Sequence, residues 1–163
     1  MRIFMFHVVL VAPEIPPNTG NIARLCLASG ATLHLIEPIG FSLDDRALKR
    51  AGLDYWDQVE VRIWASLHAL EEAAGAGARF FYATTKSRRP YFEVRYEKGD
   101  YLVFGRETRG LPESLLRANP DYLITIPMTA KARSLNLATA VAIVLYDAIR
   151  QRIELGDGVS AAS

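Results

Sequence analysis

The sequence predicts a single α/β domain, built on a mainly parallel sheet with helices on both faces. Strand-like apolar runs alternate with helical patterns along the chain, as they do in parallel β-α units. Several of these runs are apolar at every position rather than at every second one, which indicates strands covered on both faces. A chain of 163 residues, half of them hydrophobic, is long enough to bury one core of this kind.

Six runs of apolar, β-branched and aromatic residues are predicted as strands. They lie at residues 3–11, 32–36, 59–64, 79–84, 100–104 and 122–126. Helical patterns lie at residues 19–29, 45–51, 66–74, 112–118 and after Ser134. The last is the clearest, because apolar residues recur at spacings of three and four from Leu137 to Ile149. We expect Ser134 to be its N-cap, one domain over residues 1–155, and a flexible tail over residues 156–163.

The composition excludes several classes of protein. A net charge of +1 gives no overall field for nucleic acid, so any basic surface must be local. The single cysteine, Cys26, excludes an internal disulfide framework and a cysteine-based zinc site, and it fits a reducing compartment. The longest apolar stretch, residues 135–149, is too short and too polar to span a bilayer. We therefore expect a cytoplasmic protein with no membrane partner.

Polar loops that follow four of the predicted strands form the candidate ligand site. In a parallel sheet, ligands sit outside the carboxyl ends of the strands. The last loop also leads into a helix start, whose free amides can hold a small polar ligand. The alternative is that these loops are strand-to-helix connections with a role only in packing, but the convergence of four of them favours a ligand site. They are residues 13–21, 85–90, 105–112 and 126–137.

Familiar cofactor and metal motifs are missing from these loops. The first strand is not followed by the Gly-x-Gly-x-x-Gly of dinucleotide-binding proteins, and the chain has no phosphate-binding loop that ends in Gly-Lys-Ser/Thr. His7 and His34 lie within predicted strands and His68 in a helical pattern, which favours core or surface histidines over a catalytic triad or a metal cluster. We expect no metal.

Basic residues cluster in two of the loops. Lys86, Arg88 and Arg89 lie in one loop, and Arg106 and Arg109 lie in the next. Such groups recognise phosphates, and the aromatic residues at positions 91 and 92 could stack on an unpaired base. The alternative is a solvated run of charges with an aromatic anchor that holds the loop down.

Other polar residues allow two interpretations each. Asn18 and Asn21 flank Gly20 and could cap the helix there or face a ligand. Arg24 lies on the exposed side of that helix, either solvated or in contact with a phosphate or ribose. Glu107 is the only carboxylate in the glycine loop; it could pair with a neighbouring arginine or order another loop.

Three motifs, in this order, resemble those of the SPOUT superfamily of RNA methyltransferases, and within it the TrmL-type tRNA (cytidine/uridine-2′-O-)-methyltransferases. They are Pro-Glu-Ile-Pro-Pro-Asn-Thr-Gly-Asn-Ile-Ala-Arg-Leu from Pro13, Phe-Gly-Arg-Glu-Thr-Arg-Gly-Leu-Pro from Phe104, and Ile-Pro-Met from Ile126 followed by Arg-Ser-Leu-Asn-Leu from Arg133. Shorter matches lie at residues 35–41, 84–86 and 50–55, the last reading Arg-Ala-Gly-Leu-Asp-Tyr. The resemblance covers nearly the whole chain.

The resemblance implies a deep trefoil knot in the last third of the chain, with S-adenosylmethionine bound in a bent form inside it. It also implies a homodimer that methylates the ribose 2′-hydroxyl of the wobble nucleotide in certain tRNA anticodon loops, without a metal. The apolar character of the last helix around much of its surface agrees with a partner subunit packed against it.

The resemblance also implies roles for individual residues. The cofactor pocket would use backbone around Ala83, Gly105, Ile126, Ser134 and Leu135. Positions tied to catalysis or to the shape of the site are Asn21, Arg24, Glu107, Ser134 and Asn136. Lys86 and Tyr146 match positions associated with tRNA, and we expect RNA contacts from Arg24, Lys86, Arg88, Arg109 and Tyr146. The residues from Lys131 to Arg133, and Arg88-Arg89, depart from the family pattern.

Family reasoning makes Arg24 the group that activates the ribose hydroxyl. A guanidinium pKa above about 12 makes arginine a poor base, so we expect Arg24 to hold the substrate phosphate and hydroxyl instead.

Two other functions fit the same motifs. One is a methyltransferase that acts on ribosomal RNA ribose, and the other is a non-catalytic RNA-binding assembly factor.

Overall fold

The computed structural model describes residues 6–157, and the side chains of residues 52–54 lie outside that description. The strands are β1 (His7–Val11), β2 (Thr32–Ile36), β3 (Val61–Trp64), β4 (Phe80–Ala83), β5 (Tyr101–Phe104) and β6 (Leu123–Ile124). The α-helices are α1 (Pro16–Ser29), α2 (Arg46–Gly52), α3 (Leu67–Ala74), α4 (Glu113–Ala118) and α5 (Leu137–Glu154). Short 3₁₀ turns lie at Leu53–Gln58, Tyr91–Glu93 and Pro120–Tyr122.

The six strands form one parallel sheet in the order β3-β2-β1-β5-β4-β6. The predicted α/β class is therefore confirmed, and each predicted strand and helix has a counterpart in the described chain. Residues 3–5 of the first predicted strand and most of the predicted tail lie outside the described residues.

Helices cover both faces of the sheet because alternate strand residues point to opposite sides. Val8 and Leu10 of β1 belong to a core cluster that includes buried residues of α1 and α5. Val9, between them, belongs to a second cluster that includes Leu70 of α3 and Leu116 of α4. This two-sided burial explains why the strands are apolar at successive positions.

Several predicted element boundaries differ from the structure, and three of them have an identifiable local reason. Helix α1 begins at Pro16 rather than at residue 19, because proline has the φ of a first helical turn and needs no amide partner there. Strand β6 has two residues rather than five. Beyond it Thr125 pairs with the loop after β4, accepting from the amide of Tyr91 (2.8 Å) and donating to the carbonyl of Arg89 (2.9 Å).

The third correction concerns the start of the last helix. Its N-cap is Asn136 and not Ser134, because the Asn136 side-chain oxygen accepts from the amides of Ala138 (2.9 Å) and Thr139 (3.3 Å). Both residue types are good N-caps, so the sequence did not separate them. Ser134 lies two residues upstream in an exposed segment.

The histidines agree with their predicted structural roles. His34 is 1% exposed, and its Nδ1 accepts from the indole N–H of Trp64 (3.0 Å). Its Nε2 must then carry the proton, and it donates to Nδ1 of His7 at 2.8 Å. Burial, with smaller contributions from His7 and Arg62, lowers the pKa of His34 to about 3. His68 is exposed and lies 3.1 Å from Glu72.

Within residues 6–157, no helix is both long enough and apolar enough to cross a membrane.

Candidate functional site

The four loops predicted to form the site follow four strands that are adjacent to one another in the sheet. Strands β1, β5, β4 and β6 are consecutive neighbours, and all of them run in the same direction. Their carboxyl ends therefore lie along one edge. The loops that leave this edge are residues 12–15, 105–112, 84–90 and 125–136.

The first and second of these loops are joined by two glutamates, in what we call the glutamate clasp. The Glu107 carboxylate accepts from the amides of Glu14 (2.9 Å) and Ile15 (3.1 Å). In return, Oε1 of Glu14 accepts from the amide (3.2 Å) and the hydroxyl (2.8 Å) of Thr108. The bonds from Thr108 lower the pKa of Glu14. Glu107 thus orders another loop, and among the described residues it forms no ion pair with an arginine.

Gly105 makes the tight turn of the second loop possible. The chain folds back so that the amide of Gly110 donates to the carbonyl of Arg106 at 2.8 Å. A Cβ atom at Gly105 would lie 2.0 Å from the carbonyl carbon of Gly110 and 2.2 Å from the amide nitrogen of Leu111. Gly110 itself has a φ of +67°, which only glycine adopts without strain.

Asn136 connects the last loop to the start of α1. Its side-chain oxygen caps α5, so its side-chain nitrogen is left to donate to Oδ1 of Asn18, at 3.0 Å. Asn18 is 7% exposed, whereas Asn21 is exposed and has no hydrogen bond to another side chain in the described chain. Of the two candidate asparagines, Asn18 is therefore the one whose side chain contacts another loop of the candidate site within the described residues. Its neighbour Thr19 has a fully buried hydroxyl with no partner among the described residues.

Backbone groups at the strand ends are available to a ligand. Among the described residues, none forms a hydrogen bond with the backbone of Gly105, Ile126, Ser134 or Leu135. The fifth predicted cofactor residue, Ala83, ends β4 opposite Ile124. Neutral amides and carbonyls of this kind suit the edge of a heterocyclic base and the hydroxyls of a sugar.

Arg24 lies on the exposed side of α1, as predicted. Its guanidinium carbon is 5.9 Å from the centroid of the Tyr55 ring, within the range of a cation–π contact. No hydrogen bond or ion pair within residues 6–157 restrains its guanidinium. Its donors are therefore available for a substrate.

The basic loop residues are less uniform than the sequence suggested. Nζ of Lys86 lies 2.6 Å from Oε1 of Glu113, and this contact lowers the pKa of Glu113. Arg88 and Arg109 are exposed and have no ion pair in the described part of the chain. Arg89 donates to the carbonyl of Asp121 at 3.3 Å.

The two aromatic residues beside the basic loop have different environments. Phe92 is 52% exposed, whereas Tyr91 is half-buried against the core. Phe92 is therefore the candidate for stacking on a base, and Tyr91 is the anchor of the loop. Tyr146 is 45% exposed on α5, ten residues after the N-cap, which is about 15 Å along the helix.

Sequence reasoning named most of these residues but missed Glu14 and Thr108, and it left Asn18 as a possible helix cap. Their partners lie 94 and 118 positions away in the chain, and no local pattern signals such pairs. The described residues contain no group of three or more histidine, cysteine, aspartate or glutamate side chains that could hold a metal ion.

The chain is similar to known proteins along most of its length. The model of a family described as the SpoU rRNA methylase family matches residues 5–146. The Escherichia coli (strain K12) protein named tRNA (cytidine(34)-2′-O)-methyltransferase is 51% identical over 148 residues, which are 90% of this chain and 94% of that protein. A protein of the same name from Aeromonas hydrophila subsp. hydrophila is 49% identical over 148 residues, with the same coverage of 90% and 94%.

Solved structures show the same similarity. One, described as giving structural insights into the 2-OH methylation of C/U34 on tRNA, matches with a TM-score of 0.88 at 47% identity, over 93% of this chain and 99% of that chain. Another is the SpoU methyltransferase AviRb from Streptomyces viridochromogenes in complex with the cofactor AdoMet. It matches with a TM-score of 0.80 at 28% identity, over 91% of this chain and 60% of that chain.

Proposed function

Because the chain belongs to the SpoU rRNA methylase family, we infer that it is a methyltransferase that acts on the ribose 2′-hydroxyl of the wobble nucleotide of tRNA, a cytidine or uridine. One observation carries this inference. The similarity to the tRNA (cytidine(34)-2′-O)-methyltransferases extends over nearly the full length of both chains, so it includes all four loops of the site.

The methyl donor in this proposal is S-adenosylmethionine, whose sulfonium supplies an electrophilic methyl group when it is bound. A relative's structure holds this cofactor. The backbone at Ala83, Gly105, Ile126, Ser134 and Leu135 would hold it in this chain. Four of these five residues have backbone groups without a partner in the described chain, and the fold gathers them at one edge of the sheet.

We also propose that residues in the last third of the chain form the trefoil knot. The contact between Asn136 and Asn18 supports it, because it holds the start of α5 against the start of α1. The proposed homodimer has support from the exposed apolar side chains of α5 and its ends, which include Leu135, Tyr146, Ile153 and Leu155.

In the proposed mechanism, the four loops would hold the target ribose hydroxyl beside S-adenosylmethionine, which would supply the methyl group, and the hydroxyl proton would be released to water. Such proximity and orientation lower a barrier by up to about 7–11 kcal/mol in favourable intramolecular cases. Arg24 holds the phosphate and the hydroxyl of the target nucleotide with donors that no other described residue uses. Glu107 and Asn136 shape the site through the glutamate clasp and the Asn18 contact. Asn21 and Ser134, both exposed at this edge, line the approach of the RNA.

The tRNA contacts proposed outside the catalytic centre are Lys86, Arg88, Arg109 and Tyr146. The exposure of Arg88, Arg109 and Tyr146 supports this. Lys86 would exchange its partner Glu113 for a phosphate, and an ion pair between two exposed side chains costs little to break.

A direct experiment tests the function. The protein is incubated with labelled S-adenosylmethionine and separate pools of tRNA and ribosomal RNA, and the modified nucleotide is mapped. We expect label at the ribose of nucleotide 34 in tRNA. Label in ribosomal RNA alone would support the alternative function, a methyltransferase that acts on ribosomal RNA ribose. The description of the matched family favours this alternative. Absence of label from both pools would contradict an enzymatic function.

A second experiment tests the role of Arg24. We expect Arg24→Ala to abolish methylation while calorimetry shows unchanged cofactor binding, because the arginine holds the substrate and not the cofactor. Arg46→Ala, at an exposed arginine of α2, is the control and should retain activity. Activity of Arg24→Ala near the wild-type level would remove the residue from the mechanism.

A third experiment tests the RNA surface. We expect Lys86→Ala to weaken tRNA binding and to lower its salt dependence, because each lost phosphate contact removes released counterions. Lys98→Ala is the matched control. Lys98 precedes β5, so it lies at the amino ends of the strands, opposite the candidate site, and it pairs with Asp157. An unchanged salt slope in Lys86→Ala would contradict a phosphate contact.

A further inference from the structure

We propose that Tyr55 is a positioning residue for methyl transfer, because its ring holds the guanidinium of Arg24 while leaving the guanidinium donors free. The inference rests on the proposed function, in which Arg24 contacts the substrate. Tyr55 ends the Arg-Ala-Gly-Leu-Asp-Tyr stretch that begins at Arg50, a motif to which the mechanism above assigns no role.

The position of the ring is fixed by its neighbours in the chain. Tyr55 lies in the 3₁₀ turn Leu53–Gln58, which packs against α1. The next residue, Trp56, packs against the larger core cluster, and Val59 just beyond the turn is 9% exposed. An anchored turn therefore presents a ring that is itself 37% exposed.

The contact restrains Arg24 in a way that suits substrate binding. The guanidinium carbon lies 5.9 Å from the ring centroid, and within residues 6–157 no hydrogen bond or ion pair competes with this contact. A stacked cation–π contact uses the face of the guanidinium and leaves its edge, where five N–H donors lie, for hydrogen bonds.

The choice of an aromatic partner has a chemical consequence. A carboxylate in the same place would occupy the donors of Arg24 and oppose the approach of a phosphate. An aromatic ring orders the long side chain without neutralising it, so less conformational entropy is lost when the substrate binds. Removal of the ring should therefore affect the orientation of Arg24 rather than its charge.

Substitution of the ring tests this role. We expect Tyr55→Leu to lower kcat about 2- to 5-fold, the range that corresponds to an exposed cation–π contact, with KM for S-adenosylmethionine unchanged. Tyr55→Phe should stay within 2-fold of the wild type, in line with the same range, because it keeps the π face. A series of increasingly fluorinated phenylalanines at position 55 should lower log kcat in steps, since fluorination weakens the ring's negative face at nearly constant size. Equal kcat values across the series would overturn the positioning role.

A second measurement reads the contact without RNA or cofactor. We expect the Cδ protons of Arg24 to show an upfield ring-current shift in NMR spectra of the free protein. The shift should persist in Tyr55→Phe and vanish in Tyr55→Leu. Tyr122→Leu, at an exposed tyrosine beside β6, should leave it unchanged.

The two measurements separate the two proposals. If the wild-type protein shows no upfield shift of Arg24, the contact does not form and the inference is overturned. If the shift is present and the wild-type protein methylates no RNA, the proposed function fails while the contact stands.

Discussion

The glutamate clasp between the first and second loops gives a prediction whose size follows from its geometry. Glu107→Gln keeps the shape of the side chain but replaces one of two acceptor oxygens by an amide nitrogen. In the native protein those oxygens accept from two different amides, those of Glu14 and Ile15. One of the two amides must therefore lose its partner and face another donor.

The expected loss of stability is about 1–2 kcal/mol. A hydrogen bond to a charged group contributes about 1.5–3 kcal/mol, and the half-buried position of Glu107 lets water replace part of it. For a chain of this size, that loss lowers the melting temperature by about 2–8 °C. If a loop that opens no longer binds the cofactor, the apparent Kd for S-adenosylmethionine rises by at most about 5- to 30-fold.

Calorimetric melting of three variants measures this loss. They are Glu107→Gln, Glu14→Gln and the double variant, and Glu93→Gln is the control at an exposed glutamate outside the clasp. Because both clasp residues hold the same two loops together, their effects should not add. We expect a coupling energy of about 0.5 kcal/mol or more, as for other residues in contact.

Two results would contradict the proposed role of the glutamate clasp. One is a melting temperature for Glu107→Gln that equals that of the control. The other is additivity of the two single variants within about 0.3 kcal/mol, the level expected of distant sites.

Three further predictions concern other parts of the molecule. The pKa of His34 is about 3 in the folded protein, compared with an ordinary value of 6.5. The neutral form of His34 therefore stabilises the fold above pH 6.5, and this stability is lost as the pH falls towards 3. About 2 kcal/mol should be lost by pH 5, and His34→Gln should flatten that slope in urea unfolding at pH 7.5 and pH 5. Asn136→Asp keeps the oxygen that caps α5 but removes the N–H donor to Asn18. We expect helix stability, measured by circular dichroism, to hold while methylation falls. Unchanged activity would contradict a role of the Asn18 contact in methylation. Gly105→Ala should cost about 1–3 kcal/mol, because its Cβ meets backbone that cannot move aside, whereas Gly77→Ala, whose Cβ meets nothing within 4 Å, should melt like the wild type.

Local patterns were enough to predict the class of fold, and they predicted four polar loops that the fold does bring to one edge of the sheet. Continuous apolar strands, the α5 periodicity and the polar loops after the strands are all local signals. The sequence could not rank Ser134 against Asn136 as N-cap, because both side chains can accept from helix amides. Asn136 has the additional contact with Asn18, which exists only in the folded chain.

Local sequence patterns could not predict the glutamate clasp or the order of the strands, because both depend on residues that lie far apart in the chain. β1 lies beside β5, although about 90 residues separate them, and nothing in either strand specifies that neighbour. Glu14 and Thr108 meet only because these two strands pair. Residues whose partners lie so far away carry no signature within a helix or strand period.

The distance along the chain between Asn18 and Asn136 also bears on how the protein is made. The two residues are 118 positions apart, and a ribosome adds roughly 5–20 residues per second. Asn18, in the first turn of α1, must therefore wait about 6–24 s until Asn136 is synthesised. Strands β2 to β6 are synthesised during that interval while the site stays incomplete, so newly made protein acquires activity only when the last helix has left the ribosome and docked.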